Sequence, residues 1–204
     1  MALLFAEVDF DVVEIVLRDK PAEMLALSPK GTVPVLCLPD RGVLEESWSI
    51  MHWALVANDP FGWWARGQTA ENLAWLSLND NDFKQSLDRY KYPERFGELN
   101  RNQHRDHAVT FFLAPLERAL QKSNYLGGKL PCVTDIAIFP FVRQFAAVEP
   151  LWFKKMPLPA VQAWLALWQS SQLFQSCMVK LPSNQVLPFP LIGEAAHSAK
   201  QTPK

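Results

Sequence analysis

A proline and an acid–hydroxyl pair stand in this chain where both could bind a small peptide. Pro34 follows Val33 and directly precedes the apolar residues Val35 and Leu36. Proline cannot donate to a sheet ladder, so it is confined to strand starts, edges and bulges, and X-Pro bonds adopt the cis form far more readily than other bonds. A cis Val33–Pro34 bond would expose the Val33 backbone to a peptide-like ligand. The alternative is that Pro34 merely begins a strand.

Glu46 and Ser47 follow at the predicted start of a helix. The first amides of a helix have no intrahelical partners, and they favour an anionic ligand. A carboxylate and a hydroxyl beside such amides could hold the zwitterionic end of an amino acid. A purely structural role is the alternative, because a serine cap with a neighbouring acid stabilises a helix without any ligand. The two roles are compatible.

Together with other segments, these motifs resemble the soluble glutathione transferase superfamily, in particular its bacterial members with a glutaredoxin-like first domain. The resemblance rests on segments 18–21, 28–36, 45–53, 88–93, 135–145 and 164–174. It implies an α+β, thioredoxin-like βαββα domain followed by an all-α helical bundle. It also implies glutathione as co-substrate, an apolar electrophile as second ligand, and a fold that admits a homodimer.

The resemblance also implies a set of ligand contacts. Glutathione would be held by the backbone of Val33, by Pro34, and by the side chains of Glu46 and Ser47. Lys20 resembles the family lysine that meets the glycyl carboxylate. A lysine in a turn is as often simply solvated, so both interpretations of Lys20 stay open.

The chain departs from the family in its first residues. Family members open with a β-strand and a helix start that carries the catalytic Cys, Ser or Tyr, whereas residues 1–10 resemble the second half of that helix. We therefore expect an incomplete first domain and leave the catalytic residue unknown. The strand at 12–17 could take the place of the missing first strand in the sheet, a partner chain could supply a strand, or the domain could be partly unfolded. A reading frame that starts at an internal methionine would explain the same feature.

Hydrophobic periodicity and proline positions divide the chain into four segments. Residues 1–58 are predicted to form the glutathione-binding domain and 59–67 a linker. Residues 68–180 repeat apolar side chains at three- and four-residue steps, which predicts an all-α domain. Residues 181–204 are predicted to be an irregular tail because Pro182, Pro188 and Pro190 block regular structure.

The predicted elements follow from the same patterns. Strands are expected at 12–17, 35–38 and 43–45, and helices at 21–27, 47–57, 68–90, 100–122, 134–148, 159–169 and 171–179. The helix at 134–148 is apolar nearly all round, so it should lie at the centre of the bundle.

Cys132, Thr134 and Asp135 are predicted to cap that central helix. The family usually places Ser or Thr three residues before the aspartate, so that the two residues cap each other reciprocally. Cys132 takes this place here, and since a thiol accepts hydrogen bonds poorly, half of the cap should be weak. Thr134 could substitute by shifting the helix start. The role of all three residues is structural.

Bulk properties exclude several classes of function. The net charge of −1 gives no strong field to attract nucleic acid or anionic lipid. Three widely spaced cysteines indicate reduced thiols and a cytoplasmic protein, and Cys37 is expected to be buried within a strand. His104 and His107 are three residues apart on a helix, but no third ligand is near, so no metal site is predicted. No apolar run reaches the length of a membrane span.

Two functions of different class remain. The chain could be a transferase that conjugates glutathione to an apolar electrophile, or a non-catalytic binding or interaction module of the same fold. A glutaredoxin-type oxidoreductase is disfavoured, because the sequence contains no C-x-x-C motif and no lone cysteine at a helix start.

Overall fold

The computed structural model describes residues 1–97 and 100–189, which form two compact units. The first unit consists of residues 1–60 and 171–189, and the second of residues 61–170. The segment 171–180, which the sequence pattern placed in the helical domain, belongs to the first unit. None of the described helices is both long and apolar enough to cross a membrane.

The first 60 residues form three short helices and three short strands. They are α1 (Ala2–Phe5), β1 (Phe10–Val13), α2 (Ala22–Leu27), β2 (Leu36–Cys37), β3 (Val43–Leu44) and α3 (Ser47–Ala57). β2 and β3 pair in antiparallel fashion, with Leu36 opposite Leu44 and Cys37 opposite Val43. The tight turn between them is closed by Gly42 N, which donates to Asp40 Oδ1 at 2.9 Å.

Two expectations for these strands are wrong in detail. The strand predicted at 12–17 lies at Phe10–Val13, and residues 16–19 form a turn in which Asp19 N donates to Val16 O at 2.8 Å. Cys37 is exposed rather than buried, since successive side chains of a strand point to opposite faces and Leu36 takes the inner one.

The named elements of the second unit, over its described residues, are all helices. Its α-helices are α4 (Trp63–Gly67), α5 (Ala70–Leu78), α6 (Lys84–Lys91), α7 (Arg101–Ala108), α8 (Ala114–Leu120), α9 (Val133–Val148), α10 (Pro150–Phe153) and α11 (Pro159–Ser170). A π-helical segment, Asn79–Phe83, joins α5 to α6, and a second one, Val109–Leu113, joins α7 to α8. The two segments pack through Phe83 and Phe112, whose stacked rings have centroids 4.1 Å apart.

α4 lies within the segment predicted to be a linker. Trp63 is buried against Trp168, with the ring centroids 5.7 Å apart. The Arg66 guanidinium donates to Phe61 O at 2.8 Å and also to Pro131 O. These contacts fix the segment to the rest of the helical unit, so that it is a helix and not a free connection.

α9 has the predicted pair Cys132 and Asp135 at its N-terminus, and the helix begins one residue earlier than expected. The helix begins at Val133 with Cys132 as N-cap, so Thr134 lies inside the helix and does not cap it. Asp135 is fully buried. Its carboxylate accepts from Cys132 N at 2.9 Å, from Leu126 N at 3.0 Å and from Trp164 Nε1 at 2.9 Å. Burial raises the Asp135 pKa, and these hydrogen bonds oppose that shift.

The chain returns to the first unit after α11 with α12 (Gln172–Cys177) and β4 (Val186–Phe189). β4 pairs antiparallel with β1, so residues 186–189 are regular and the expectation of an irregular tail is wrong there. Pro188 is tolerated because β4 pairs with β1 alone among the described strands, and the missing N–H of a proline costs little on an edge strand. Pro190 and the residues after it lie outside the described part of the chain.

β4 gives β1 a partner that we did not foresee. Val12 lies opposite Leu187 and Phe10 opposite Phe189, whose rings have centroids 5.3 Å apart. The partner of β1 is therefore a strand of the same chain, which was not among the three arrangements considered above.

This pairing predicts that Phe189→Ala lowers the free energy of unfolding by about 3 kcal/mol, the lower end of the range for deleting a buried phenyl ring. Phe189 is 8% exposed, whereas Val186 in the same strand is 69% exposed. Val186→Ala is therefore the matched control, with an expected change within about 0.5 kcal/mol. Urea denaturation of the two variants measures both values. Equal stabilities for the two would contradict the packing role of β4.

Candidate functional site

The loop between α2 and β2 carries Val33 and Pro34, and a turn sets its path. Ser28 O accepts from Gly31 N at 2.9 Å. Gly31 has a φ of +61°, and a Cβ at this position would lie 3.1 Å from Leu25 Cδ2, so glycine fits here without strain. The Val33–Pro34 bond is cis, as the sequence predicted. Val33 is 47% exposed.

Lys20 lies beside this turn. Its ammonium nitrogen would be 3.8 Å from a Cβ built on Gly31, and the side chain is half-buried. The turn at 28–31 therefore brings a positive charge from the segment before α2 close to the start of the Val33–Pro34 loop.

Glu46 and Ser47 lie at the N-terminus of α3. The helix begins at Ser47, so Glu46 and not Ser47 occupies the N-cap position. The Glu46 backbone is extended and its carbonyl already accepts from Ile50 N at 3.0 Å. Its carboxylate makes no capping hydrogen bond to the helix and is 69% exposed.

The register of the β2–β3 pair brings these two segments together. Because Leu36 lies opposite Leu44, the residues before Leu36 and those after Leu44 leave the ladder at the same end. Neighbouring strands of a sheet are about 4.7–4.9 Å apart. The Val33–Pro34 loop and the Glu46–Ser47 step therefore occupy one end of the hairpin.

A charged cluster that sequence reasoning missed lies between the two segments. Ser28 Oγ donates to Glu45 Oε1 at 2.7 Å. Lys30 Nζ is 3.6 Å from Glu45 Oε2 and 3.9 Å from Glu46 Oε1. The sequence did contain a signal for this cluster. Lys30 lies on one of the two segments of the predicted site, and the oppositely charged Glu45 and Glu46 lie on the other.

The models of two protein domain families match the sequence. The N-terminal domain model of glutathione S-transferase matches residues 1–55, and the C-terminal domain model matches residues 112–167. The chain belongs to the glutathione transferase superfamily. No protein of curated function matches it significantly.

Solved structures of glutathione transferases share the fold. BphK, a bacterial glutathione transferase in a ternary complex, is 23% identical with a TM-score of 0.71, covering 87% of this chain and 90% of that one. Transferase F7 from Populus trichocarpa is 19% identical with a TM-score of 0.69, covering 85% and 88%. A sphingomonad transferase complexed with glutathione is 19% identical with a TM-score of 0.66, covering 87% and 89%. The predicted fold class, a thioredoxin-like domain followed by an all-α domain, is confirmed.

The helical unit of this transferase-family chain contains a second polar cluster, centred on Glu149. One carboxylate oxygen accepts from Arg101 at 2.9 Å, and the other accepts from Tyr90 Oη at 2.7 Å and from Arg105 at 3.3 Å. The Tyr90 hydrogen bond and the two guanidinium groups hold the Glu149 pKa below its ordinary value. Burial and the Glu149 carboxylate raise the pKa of Tyr90. Both carboxylate oxygens accept hydrogen bonds within the protein, so this cluster joins α6 and α7 to the end of α9.

The remaining candidates for metal or thiol chemistry do not assemble a site. His107 Nδ1 lies 3.1 Å from Ser86 Oγ, and the His107 ring packs on Phe111. The described residues contain no group of three or more potential metal ligands. Burial raises the pKa of Cys132 to about 12, and its thiol donates to Asn72 Oδ1 at 3.8 Å, so it is an inert core residue.

The Glu149 cluster predicts a pH dependence of stability. A carboxylate whose folded pKa lies below its unfolded value, about 4.3, stabilises the fold above that pH and loses this contribution as the pH falls through the folded pKa. Glu149→Gln should cost about 1–2 kcal/mol at neutral pH, since it weakens three hydrogen bonds. The difference from wild type should shrink between about pH 5 and about pH 3.

Urea denaturation across this pH range measures the effect. The matched control is Glu94→Gln, because Glu94 is exposed. A stability difference that stays constant with pH would show that the Glu149 carboxylate contributes through packing and not through its charge.

Proposed function

We propose that this chain binds glutathione at the end of the β2–β3 hairpin. The observation that carries the proposal is the meeting of the Val33–Pro34 loop with the Glu46–Ser47 step at one end of that hairpin. Glutathione is a tripeptide with an amino-acid group at one end, a peptide bond beside the cysteine, and a carboxylate at the other end. The two segments offer groups for the amino-acid end and the peptide bond, and Lys20 offers a positive charge for the carboxylate at the other end.

The contacts follow from charge and hydrogen-bonding capacity. The exposed Glu46 carboxylate accepts from the α-ammonium group of the ligand, and the Ser47 hydroxyl with the α3 N-terminus binds its α-carboxylate. The backbone of Val33 pairs with the cysteinyl residue, with Pro34 fixing the loop beside it. Lys20 binds the glycyl carboxylate. Two solved structures of the same fold, one complexed with glutathione and one bound with lactoylglutathione, support this choice of ligand.

Conjugation of glutathione to an apolar electrophile is the activity that the family suggests. It requires a group that favours the glutathione thiolate at neutral pH, because a free thiol has a pKa of about 8.5. The second candidate function, a non-catalytic binding module of the transferase fold, requires no such group.

The proposal extends to the cellular compartment of the protein, the cytoplasm, and to its possible assembly as a homodimer. The three cysteines are free thiols, as in proteins of a reducing compartment such as the cytoplasm. A homodimer is compatible with either candidate function.

Titration calorimetry of the chain with glutathione tests the proposal directly, and a conjugation assay with chloronitrobenzene separates its two forms. Binding without turnover supports the module, and binding with robust turnover supports the transferase. Absence of glutathione binding would contradict both.

The site itself predicts that Ser47→Ala weakens glutathione binding about tenfold, the loss expected for one hydrogen bond to a charged group. Ser49→Ala is the matched control, because Ser49 is an exposed serine of the same helix. Calorimetry on both variants measures the dissociation constants. Equal constants for Ser47→Ala and Ser49→Ala would remove the Ser47 hydroxyl from the site.

A further inference from the structure

Ser28 and Glu45 join the two segments of the proposed glutathione site. The Ser28 hydroxyl donates to Glu45 Oε1 at 2.7 Å, and Ser28 is fully buried. Ser28 stands where α2 ends and the loop to Val33 begins. Glu45 directly precedes Glu46 and Ser47. This hydrogen bond therefore ties the start of one binding segment to the start of the other.

The backbone ladder by itself links these segments weakly. β2 and β3 pair over two residues each, Leu36 with Leu44 and Cys37 with Val43. A two-stranded hairpin alone is marginally stable in water. A hydrogen bond to a carboxylate is stronger than one between neutral groups. Because the Ser28 hydroxyl is buried, the loss of this hydrogen bond costs more than it would at the surface. The Ser28–Glu45 bond is thus a second attachment between the segments.

Lys30 holds the other oxygen of the same carboxylate. Its Nζ lies 3.6 Å from Glu45 Oε2, so both carboxylate oxygens of Glu45 have partners on the loop that leads to Val33. The Lys30 side chain is 61% exposed, and exposed ion pairs contribute little because water and salt screen them. The bond to buried Ser28 therefore carries the larger part of the attachment.

We propose that Glu45, held by Ser28, is a positioning residue that sets the separation between the Val33 backbone and the Glu46–Ser47 step. The inference rests on the proposed function, since it concerns how that site recognises its ligand. A tripeptide that contacts both segments gains from the second contact when their separation matches its own length. A fragment that contacts one segment does not depend on this separation. The attachment thus makes the site selective for the whole tripeptide.

Two ligands and two pairs of variants test the inference. The ligands are glutathione and γ-glutamyl methylamide, which retains the amino-acid end alone. The variants are Ser28→Ala, with Ser170→Ala as control, and Glu45→Gln, with Glu23→Gln as control. Ser170 is an exposed serine of the helical unit and Glu23 an exposed acid of α2. Calorimetry gives the glutathione affinity, NMR titration gives the fragment affinity, and thermal unfolding checks that each variant is folded.

Ser28→Ala should weaken glutathione binding about tenfold relative to Ser170→Ala and change fragment binding less than about twofold. Glu45→Gln should weaken glutathione binding about threefold, because its amide oxygen can still accept from Ser28. If Ser28→Ala does not fold, Glu45→Gln, which preserves the side-chain volume, decides by the same comparison.

The outcomes separate this inference from the proposed function. If wild type binds glutathione and Ser28→Ala binds it as tightly as Ser170→Ala does, the positioning role is overturned alone. An equal loss for both ligands also overturns it, because the bond then supports folding and not the separation. If wild type does not bind glutathione, the proposed function is overturned and this inference with it.

Discussion

In the first unit the arrangement of the site depends on a pairing of four residues, Leu36 with Leu44 and Cys37 with Val43. An antiparallel ladder with this register directs the residues before Leu36 and those after Leu44 to the same end of the hairpin. A shift by one residue would turn each side chain to the other face of the sheet and separate the loop from the start of α3. The buried Ser28 hydroxyl and the Glu45 carboxylate reinforce this register from outside the ladder. Local pairing and one side-chain hydrogen bond thus hold the two segments at one end of the hairpin.

The helical unit has a comparable constraint in its interior. The Asp135 carboxylate is fully buried and accepts hydrogen bonds from two backbone amides and from the Trp164 indole. A buried carboxylate is costly unless it is satisfied in this way, so the chain before α9 and the helix α11 must meet at this point. The Glu149 cluster joins α6 and α7 to the end of α9 by the same principle, with guanidinium groups and a tyrosine as donors. Both acids thus connect separate helices of this unit.

The sequence pattern predicted some elements of the fold and did not indicate others. Helical periodicity located the long helices of the second unit, because apolar side chains must recur every three or four residues to reach a core. It did not indicate the π-helical segments at 79–83 and 109–113, since one extra residue in a turn leaves the local pattern almost unchanged. Pro60 and Gly62 interrupt the pattern and predict a linker at α4, whereas contacts of Trp63 and Arg66 with distant residues make it a helix.

The sequence by itself determined the family and the division into an α+β and an all-α part, and it favoured the cis Val33–Pro34 bond and a cap of α9 by Cys132 and Asp135. These features are encoded in neighbouring residues, where proline chemistry, capping pairs and periodicity act over a few positions. The tertiary structure alone decided that β4 pairs with β1, and that Ser28 bonds Glu45. The physical reason is separation along the chain: β1 and β4 are far apart in sequence, and a hydrogen bond between distant residues leaves no periodic or local signature in either of them.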